Sequence, residues 1–297
     1  MDRSDMEVSI IIPLYKRIDW IGICIEKLFD QDYDGDYEII IVDDGSPNGN
    51  VIKETCNKYI GKGDIVVKYL RNKHAGPAAA RNYGVKASTG KILCFLDDDS
   101  LPNKEWLREI LRPFSDSSQA GLVSGRTFSF ERTGLPLLLE ESVYPEKSWA
   151  TCNIAYRRDA FAALTGFDEY YTEPSWEDND LGLRAQWAGF DHCYNQQAVV
   201  YHPHESSIAE YKKKCLLNGR GAAAFSRKYL YQKPLVSIAT PVIMSRKLVY
   251  CIFPWVWLQK QDSRHYLRFL WSFYSLRGFM KALLHTNEND CGCNEVS

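Results

Sequence analysis

Ile92-Leu93-Cys94-Phe95-Leu96-Asp97-Asp98-Asp99 is the stretch on which the reading of this chain turns. Its five bulky apolar residues, bracketed by Gly90 and Pro102, are too few for a helix and show no polar alternation, which predicts a buried strand. The three aspartates follow directly, so their carboxylates emerge together at the strand's C-terminal edge, where open α/β sheets bind ligands. Three like charges at one spot repel. A divalent cation bridged to a phosphate is the simplest offset, since hard oxygen donors suit magnesium or manganese. A solvated acidic turn is the alternative that the triplet alone leaves open.

Upstream, strand and helix signals alternate. The β-branched run 8–12 stops at Pro13, and Ile18, Ile21, Ile25, Leu28 and Phe29 then recur at helical spacing. Residues 38–42 form a second buried-strand run that ends in Asp43-Asp44-Gly45-Ser46-Pro47. A helical stretch over 51–59 and a strand over 65–70 follow, and the alanine-rich segment 78–87, opened by Gly76-Pro77 and closed near Gly90, predicts another helix. Strands separated by helices of this length predict βαβ units and a parallel sheet. Parallel strands share a direction, so Asp43 and Asp44 open on the same edge as Asp97–Asp99. One pair then serves a base or ribose, the other metal and diphosphate. Asp44 alone reads equally as an Asx turn or helix cap.

Composition sets the outer bounds. With 36 Lys and Arg against 38 Asp and Glu, the net charge of −2 offers no global basic field for nucleic acid. The nine cysteines are scattered without a CxxC pair, which predicts reduced thiols in a cytoplasmic chain; Cys291 and Cys293 read as part of a frayed tail. Residues 1–7 are polar and charged, so no signal peptide is expected, and no run of about 18 apolar residues predicts a spanning helix.

Four ordered motifs, Val8-Ser9-Ile10-Ile11-Ile12-Pro13-Leu14-Tyr15, Ile41-Val42-Asp43-Asp44-Gly45-Ser46, Gly76-Pro77-Ala78-Ala79-Ala80-Arg81-Asn82 and Phe95-Leu96-Asp97-Asp98-Asp99, resemble those of family 2 glycosyltransferases. The likeness continues through Gly166-Phe167-Asp168 and Trp176-Glu177-Asp178-Asn179-Asp180-Leu181, covering roughly residues 8–205. It implies the GT-A fold: an α/β, Rossmann-like, mostly parallel sheet flanked by helices, here with a helical C-terminal extension. The implied division is a nucleotide-sugar-binding half over 1–125, an acceptor-binding half with the catalytic base over 126–235, and an amphipathic helical region over 236–297.

The resemblance also assigns roles. Pro13 and Tyr15 match the first loop, with the ring near the base, and Asp44 matches the aspartate that bonds the base. Arg81 matches a basic residue near the nucleotide; the structural alternative is an ion pair to Asp43 or Asp44. Asp97 and Asp99 match the outer positions of the Asp-x-Asp motif, with Asp99 the direct ligand of Mn2+ or Mg2+ and Asp98 facing ribose or sugar. Asn153, in Thr151-Cys152-Asn153-Ile154, and Glu177 match positions that line the sugar and acceptor pocket. Asp178 matches the general base, which an acceptor hydroxyl needs in order to attack; read alone, it is a helix cap at or just before an N-terminus. Asp180 reads as a tether for that helix. His202, at the end of the run 198–201, is a candidate third metal ligand with His204 in reserve, against the ordinary alternative of a structural histidine.

Beyond Glu205 the likeness fades. Residues 208–231 are helical in character and basic, and 242–284 mixes apolar and aromatic residues with Arg246, Lys247, Arg268, Arg277 and Lys281. Such a pattern suits peripheral contact with the inner face of a membrane, or a cap packed on the catalytic domain. The expectation is a metal-assisted, inverting transfer from a nucleotide-sugar donor to a glycan or lipid-linked acceptor. A sugar nucleotidyltransferase is disfavoured because residues 13–20 lack the glycine-rich phosphate loop; a non-catalytic nucleotide- or membrane-binding subunit remains as the other alternative.

Overall fold

A computed structural model describes residues 7–117, 119–130, 146–203, 207–230 and 263–284. Its first half alternates as the sequence predicts: β1 (Val8–Leu14), α1 (Ile21–Phe29), β2 (Tyr37–Asp43), α2 (Gly49–Asn57), β3 (Val66–Arg71), α3 (Pro77–Lys86) and β4 (Ile92–Phe95). There follow β5 (Leu101–Pro102), α4 (Trp106–Asp116), β6 (Ala120–Phe130), β7 (Ile154–Arg157), α5 (Arg158–Ala163), α6 (Glu177–Trp187) and β8 (Asp191–Pro203). The strands form one eight-stranded sheet in the order β3-β2-β1-β4-β7-β6-β8-β5.

The unbroken apolar runs are explained by burial on both faces. Ile10, Ile12, Ile39 and Ile41 point to one side, where Ile21, Ile25, Leu28, Trp106 and Ile110 of α1 and α4 meet them. Ile11, Ile40, Val42 and Phe95 point to the other, against Ala78 and Ala80 of α3 and Leu181 of α6. Strand alternation thus builds two cores from one sheet.

Pairing direction decides which residues reach the ligand edge. β3, β2, β1 and β4 run parallel. β7 runs against both β4 and β6, and β8 runs with β6. Two reversals restore the direction, so the C-terminal end of β8 emerges on the same edge as the C-terminal end of β4. The edge strand β5 turns back and pairs antiparallel with β8 through Leu101↔Tyr201.

The boundary expected at residue 125 falls inside β6, so the two expected halves share one sheet. By its internal contacts the chain divides into compact units Met1–Ser206 and Ser207–Ser297. In the second unit, α7 (Ile208–Tyr229) packs along α8 (Ser263–Leu284). Their backbones approach closely at Gly219, where an added Cβ would lie 2.0 Å from the Ser275 carbonyl oxygen. Of the segment 242–284 read as membrane-facing, residues 242–262 lie outside the described residues, as do Cys291 and Cys293. No helix among the described residues is long and apolar enough to cross a membrane.

One glycine is demanded by the loop before α3. Gly76 has φ +97°, and a Cβ there would sit 2.3 Å from the Thr172 carbonyl oxygen. Left-handed backbone and a backbone clash together oppose any side chain. Gly76→Ala is therefore expected to cost about 1–3 kcal/mol, read as a lowered unfolding midpoint in denaturant; an unchanged midpoint would contradict this reading of the loop.

Candidate functional site

The ligand edge begins where β1 and β2 end. Asp44 follows β2, and its carboxylate accepts hydrogen bonds from the Ala75 amide (3.0 Å), the Gly76 amide (2.9 Å) and His74 Nδ1 (2.7 Å). It thereby ties the loop entering α3 to the sheet edge, whereas the turn after β2 is held by Asp43 Oδ1, which accepts from the Ser46 amide at 2.8 Å. The His74 ring lies flat on Tyr15, with centroids 4.1 Å apart and planes 9° from parallel. Tyr15 and His74 form an aromatic wall beside Asp44, just beyond the partly buried Pro13. Nothing in the periodicity marks His74; its position two residues before the Gly76-Pro77 helix start was the available signal.

Asp97, Asp98 and Asp99 lie between β4 and β5. Asp98 and Asp99 are 6% and 3% exposed, so theirs is no solvated acidic turn. Arg81, itself 3% exposed, reaches them from α3. Its Nη2 donates to Asp97 Oδ1 and its Nη1 to Glu177 Oε1, each at 2.9 Å, and its guanidinium lies 5.6 Å from the Phe167 ring. The expected alternative pairing of Arg81 with Asp43 or Asp44 is corrected. Asp43 is taken by the Ser46 amide and the Tyr69 hydroxyl, and Asp44 by the 74–76 loop. Buried Glu177 and part-exposed Asp97 are the carboxylates Arg81 meets instead.

His202 arrives from the end of β8. Its Nε2 is 3.2 Å from Asp99 Oδ1 and 3.5 Å from Asp97 Oδ2, while its Nδ1–H donates to the Pro203 carbonyl oxygen at 2.9 Å. Arg17, from the loop after β1, donates through Nη1 to Asp98 Oδ1 at 3.3 Å and to Asp99 Oδ2. Sequence reasoning did not single out Arg17. His204 lies outside the described residues.

These contacts set the ionisation. Burial pushes the Asp98 carboxyl up to about 8, aided by the charges of Asp99 and Asp97 and opposed by Arg17. Burial also acts on Asp97, but the hydrogen bond from His202 and the charge of Arg81 outweigh it and hold the carboxyl well below the usual range. The same balance lowers Asp99, through His202 and Arg17. Burial works against a charged His202, yet its two carboxylate partners raise it to about 10.

Asp97, Asp99 and His202 can each offer one ligand atom, all within 4.8 Å of one another. The fit to a divalent ion is good on two further counts. Asp99 Oδ1 is buried without an aligned hydrogen bond. His202 anchors its other ring nitrogen on a backbone carbonyl, the outer-shell arrangement of metal-bound histidines. The two carboxylates suit Mn2+ or Mg2+, and the imidazole is a softer donor than either requires.

The acceptor side is carried by α6. Trp176 precedes it with φ 74°, turning the chain so that Glu177 and Asp178 enter the first helical turn. Asp178 is thus the second residue of the helix rather than its cap. It is half-buried, and its Oδ1 accepts from the Asn179 amide (2.7 Å) and side chain (2.8 Å). Burial, reinforced by the Glu177 charge, pushes its carboxyl up to about 7. Burial likewise raises Glu177 despite Arg81. Asp180 receives Arg184 Nε at 2.7 Å, and Arg184 Nη2 also donates to the Gly166 carbonyl at 2.8 Å, tethering the helix.

Asn153 is placed differently. Its Oδ1 accepts from Trp106 Nε1 at 2.9 Å, and its Nδ2 donates to the Arg126 and Ala198 carbonyls at 3.0 Å. Its amide stitches β6, β8 and α4 together behind the edge.

Comparison with known proteins agrees with this geometry. Residues 9–164 match the family described as Glycosyl transferase family 2. Glycosyltransferase AglE of Haloferax volcanii is 28% identical over 225 residues, 72% of this chain and 72% of that protein. The pre-mycofactocin glycosyltransferase of Mycobacterium tuberculosis is 28% identical over 243 residues, 76% of this chain but 49% of its own length. Among solved structures, the Pyrobaculum calidifontis mannosyltransferase PcManGT in complex with GDP-Man and Mn2+ aligns with a TM-score of 0.66 at 15% identity. That alignment covers 94% of this chain and 87% of the other, and shows a shared GT-A fold. With more than half of its length matched to the family pattern, the chain belongs to glycosyl transferase family 2.

Proposed function

We propose that this enzyme transfers a sugar from a nucleoside-diphosphate sugar to a hydroxyl of a glycan or lipid-linked glycan, inverting the anomeric carbon in one displacement. The observation that carries the reading is the Asp97–Asp99–His202 cluster on the sheet edge beside an α6 whose first turn bears a half-buried Asp178, its carboxyl pushed up to about 7 by burial.

Each residue has a part in it. The base stacks beside Tyr15 and Pro13. Asp44 accepts hydrogen bonds from His74, Ala75 and Gly76, and from Asn72 with its amide nitrogen turned toward it, so a donor N–H of the base would take the place of one of these loop donors. Asp97, Asp99 and His202 hold Mn2+ or Mg2+, which supplies Lewis-acid stabilisation of the departing diphosphate when bound. Asp98 and Glu177 border the sugar, and Arg81 fixes Asp97 and Glu177 relative to each other. Asp178 takes the proton from the acceptor hydroxyl; a base poised near neutral pH combines the ionised form with useful basicity. Asn153 supports the pocket wall from behind. The supporting relatives are named glycosyltransferases.

The helical unit supplies a further surface. Residues 207–297 hold 14 Lys and Arg against 5 Asp and Glu, a net of +9, whereas the whole chain nets −2. Phe273, Arg277, Met280 and Lys281 share one exposed face of α8. Aromatic and apolar groups among cations suit an anionic lipid surface, where a lipid-linked acceptor resides.

Asp178→Asn is expected to lower kcat about 10²–10⁴-fold with nucleotide binding retained, and wild-type kcat/KM should fall as pH drops below about 7. Because folding raises this carboxyl from 3.8 to about 7, stability is lost as pH rises through that window, the cost is full above about 7, and it vanishes once both states are protonated. The asparagine variant should therefore unfold at a higher temperature than wild type at alkaline pH, with the gap closing in acid. A product that retains the donor's configuration, or full activity in the variant, would overturn the mechanism. On flotation, the intact protein should rise with vesicles containing an anionic lipid and stay behind with neutral ones, less so in Arg277→Glu/Lys281→Glu. Failure to bind either vesicle would remove the lipid-surface reading.

A further inference from the structure

Arg17 stands apart from Arg81, the other guanidinium at the acidic cluster. Arg81 is 3% exposed and locked between Asp97 and Glu177. The Arg17 side chain is 55% exposed and enters from the loop between β1 and α1, immediately after Lys16, whose φ is 68°. Its Nη1 is shared by Asp98 Oδ1 and Asp99 Oδ2, the oxygens on the outer side of the cluster. The atoms suited to a divalent ion are the inner ones, Asp99 Oδ1 and Asp97 Oδ2, which face His202 Nε2. Arg17 and an ion would thus sit on opposite oxygens of one carboxylate.

Two cations on one carboxylate repel, and Asp99 between them is 3% exposed, although water partly screens the exposed guanidinium. A diphosphate changes the sign of that interaction. Placed at the mouth of the cluster it gives the guanidinium an anion to face, and guanidinium and phosphate match as a bidentate pair.

We propose that Arg17 couples metal binding to diphosphate binding: it suppresses entry of the ion alone and, by turning from Asp98 and Asp99 to the diphosphate, lets ion and donor bind together. Arg17 is on this account a positioning residue that sets the order of assembly. The inference rests on the metal-and-diphosphate reading above, and linkage makes the coupling reciprocal, so the ion must strengthen diphosphate binding by the same factor.

The test is a Mn2+ titration of the intact protein followed by electron paramagnetic resonance, with and without inorganic pyrophosphate, for wild type and Arg17→Gln. Pyrophosphate serves because it carries the charge without a base. Free Mn2+ is corrected for the Mn2+–pyrophosphate complex, measured without protein. Wild type is expected to bind Mn2+ at least ten-fold more tightly when pyrophosphate is present. Arg17→Gln should bind Mn2+ alone several-fold more tightly than wild type and show a coupling factor reduced several-fold.

If Arg17 merely held Asp99 in a ligating orientation, the variant would bind Mn2+ alone more weakly, and that sign would overturn the proposal. Unchanged affinity and unchanged coupling would overturn it equally. Wild type that binds no Mn2+ under either condition would remove the metal reading itself, and Arg17→Lys, which keeps the charge, checks that the effect is electrostatic by restoring most of the coupling.

Discussion

The arrangement depends on one buried guanidinium. Arg81 joins Asp97 of the β4 edge to Glu177 of α6 at 2.9 Å each, across 96 residues of sequence between itself and Glu177. Without it, buried Glu177 would lose the Arg81 charge, and part-exposed Asp97 would keep only His202; leaving a buried ion unpaired costs several kcal/mol in typical proteins. With it, the helix that carries Asp178 is pinned to the strand that carries the metal ligands. Phe167 below the guanidinium completes the seat. Chemistry that needs donor and acceptor groups within an ångström or so of a fixed geometry starts from such a clamp.

The sheet supplies the rest of the convergence. Two antiparallel steps, into β7 and out of it, return β8 to the direction of β4, and His202 reaches the aspartates for that reason. The site is then an exercise in charge balance. Asp97, Asp98, Asp99 and Glu177 are answered by Arg81 from within, His202 from the far strand and Arg17 from solvent. Asp97 and Asp99, which share His202 and each face a guanidinium, are held low, whereas burial outweighs the nearby cation at Asp98 and Glu177 and raises Asp178 as well. That separation is what acid–base chemistry near neutral pH requires.

Much of this was legible beforehand because it is local. Apolar runs at 8–12, 38–42 and 92–96 announce central parallel strands, and aspartates at their ends announce the ligand edge. What was not legible is long-range. The structural alternative for Arg81 named Asp43 or Asp44 as its partner and missed Asp97 and Glu177, since sequence distance is a poor guide to which carboxylate lacks a partner. His74 and Arg17 belong to loops without periodicity, and only folding brings the one onto Tyr15 and the other onto Asp99. Asn153 sits in a motif that implies a pocket role, but its three hydrogen bonds to Trp106, Arg126 and Ala198 show how the same residue serves packing. β5, only Leu101–Pro102, is too short for any pattern to reveal.

The central claim is that the acidic edge binds a nucleoside diphosphate through a metal held on Asp99. Its most direct test is the thermal midpoint of the purified protein against each common nucleoside diphosphate, with and without Mn2+, in wild type and Asp99→Ala. A ligand at about 100 times its dissociation constant adds about 2.7 kcal/mol, a readily visible shift. The account predicts a Mn2+-dependent rise with one class of base, lost in Asp99→Ala. Folded wild-type protein that shows no shift with any nucleotide, or an equal shift in the variant, would contradict it.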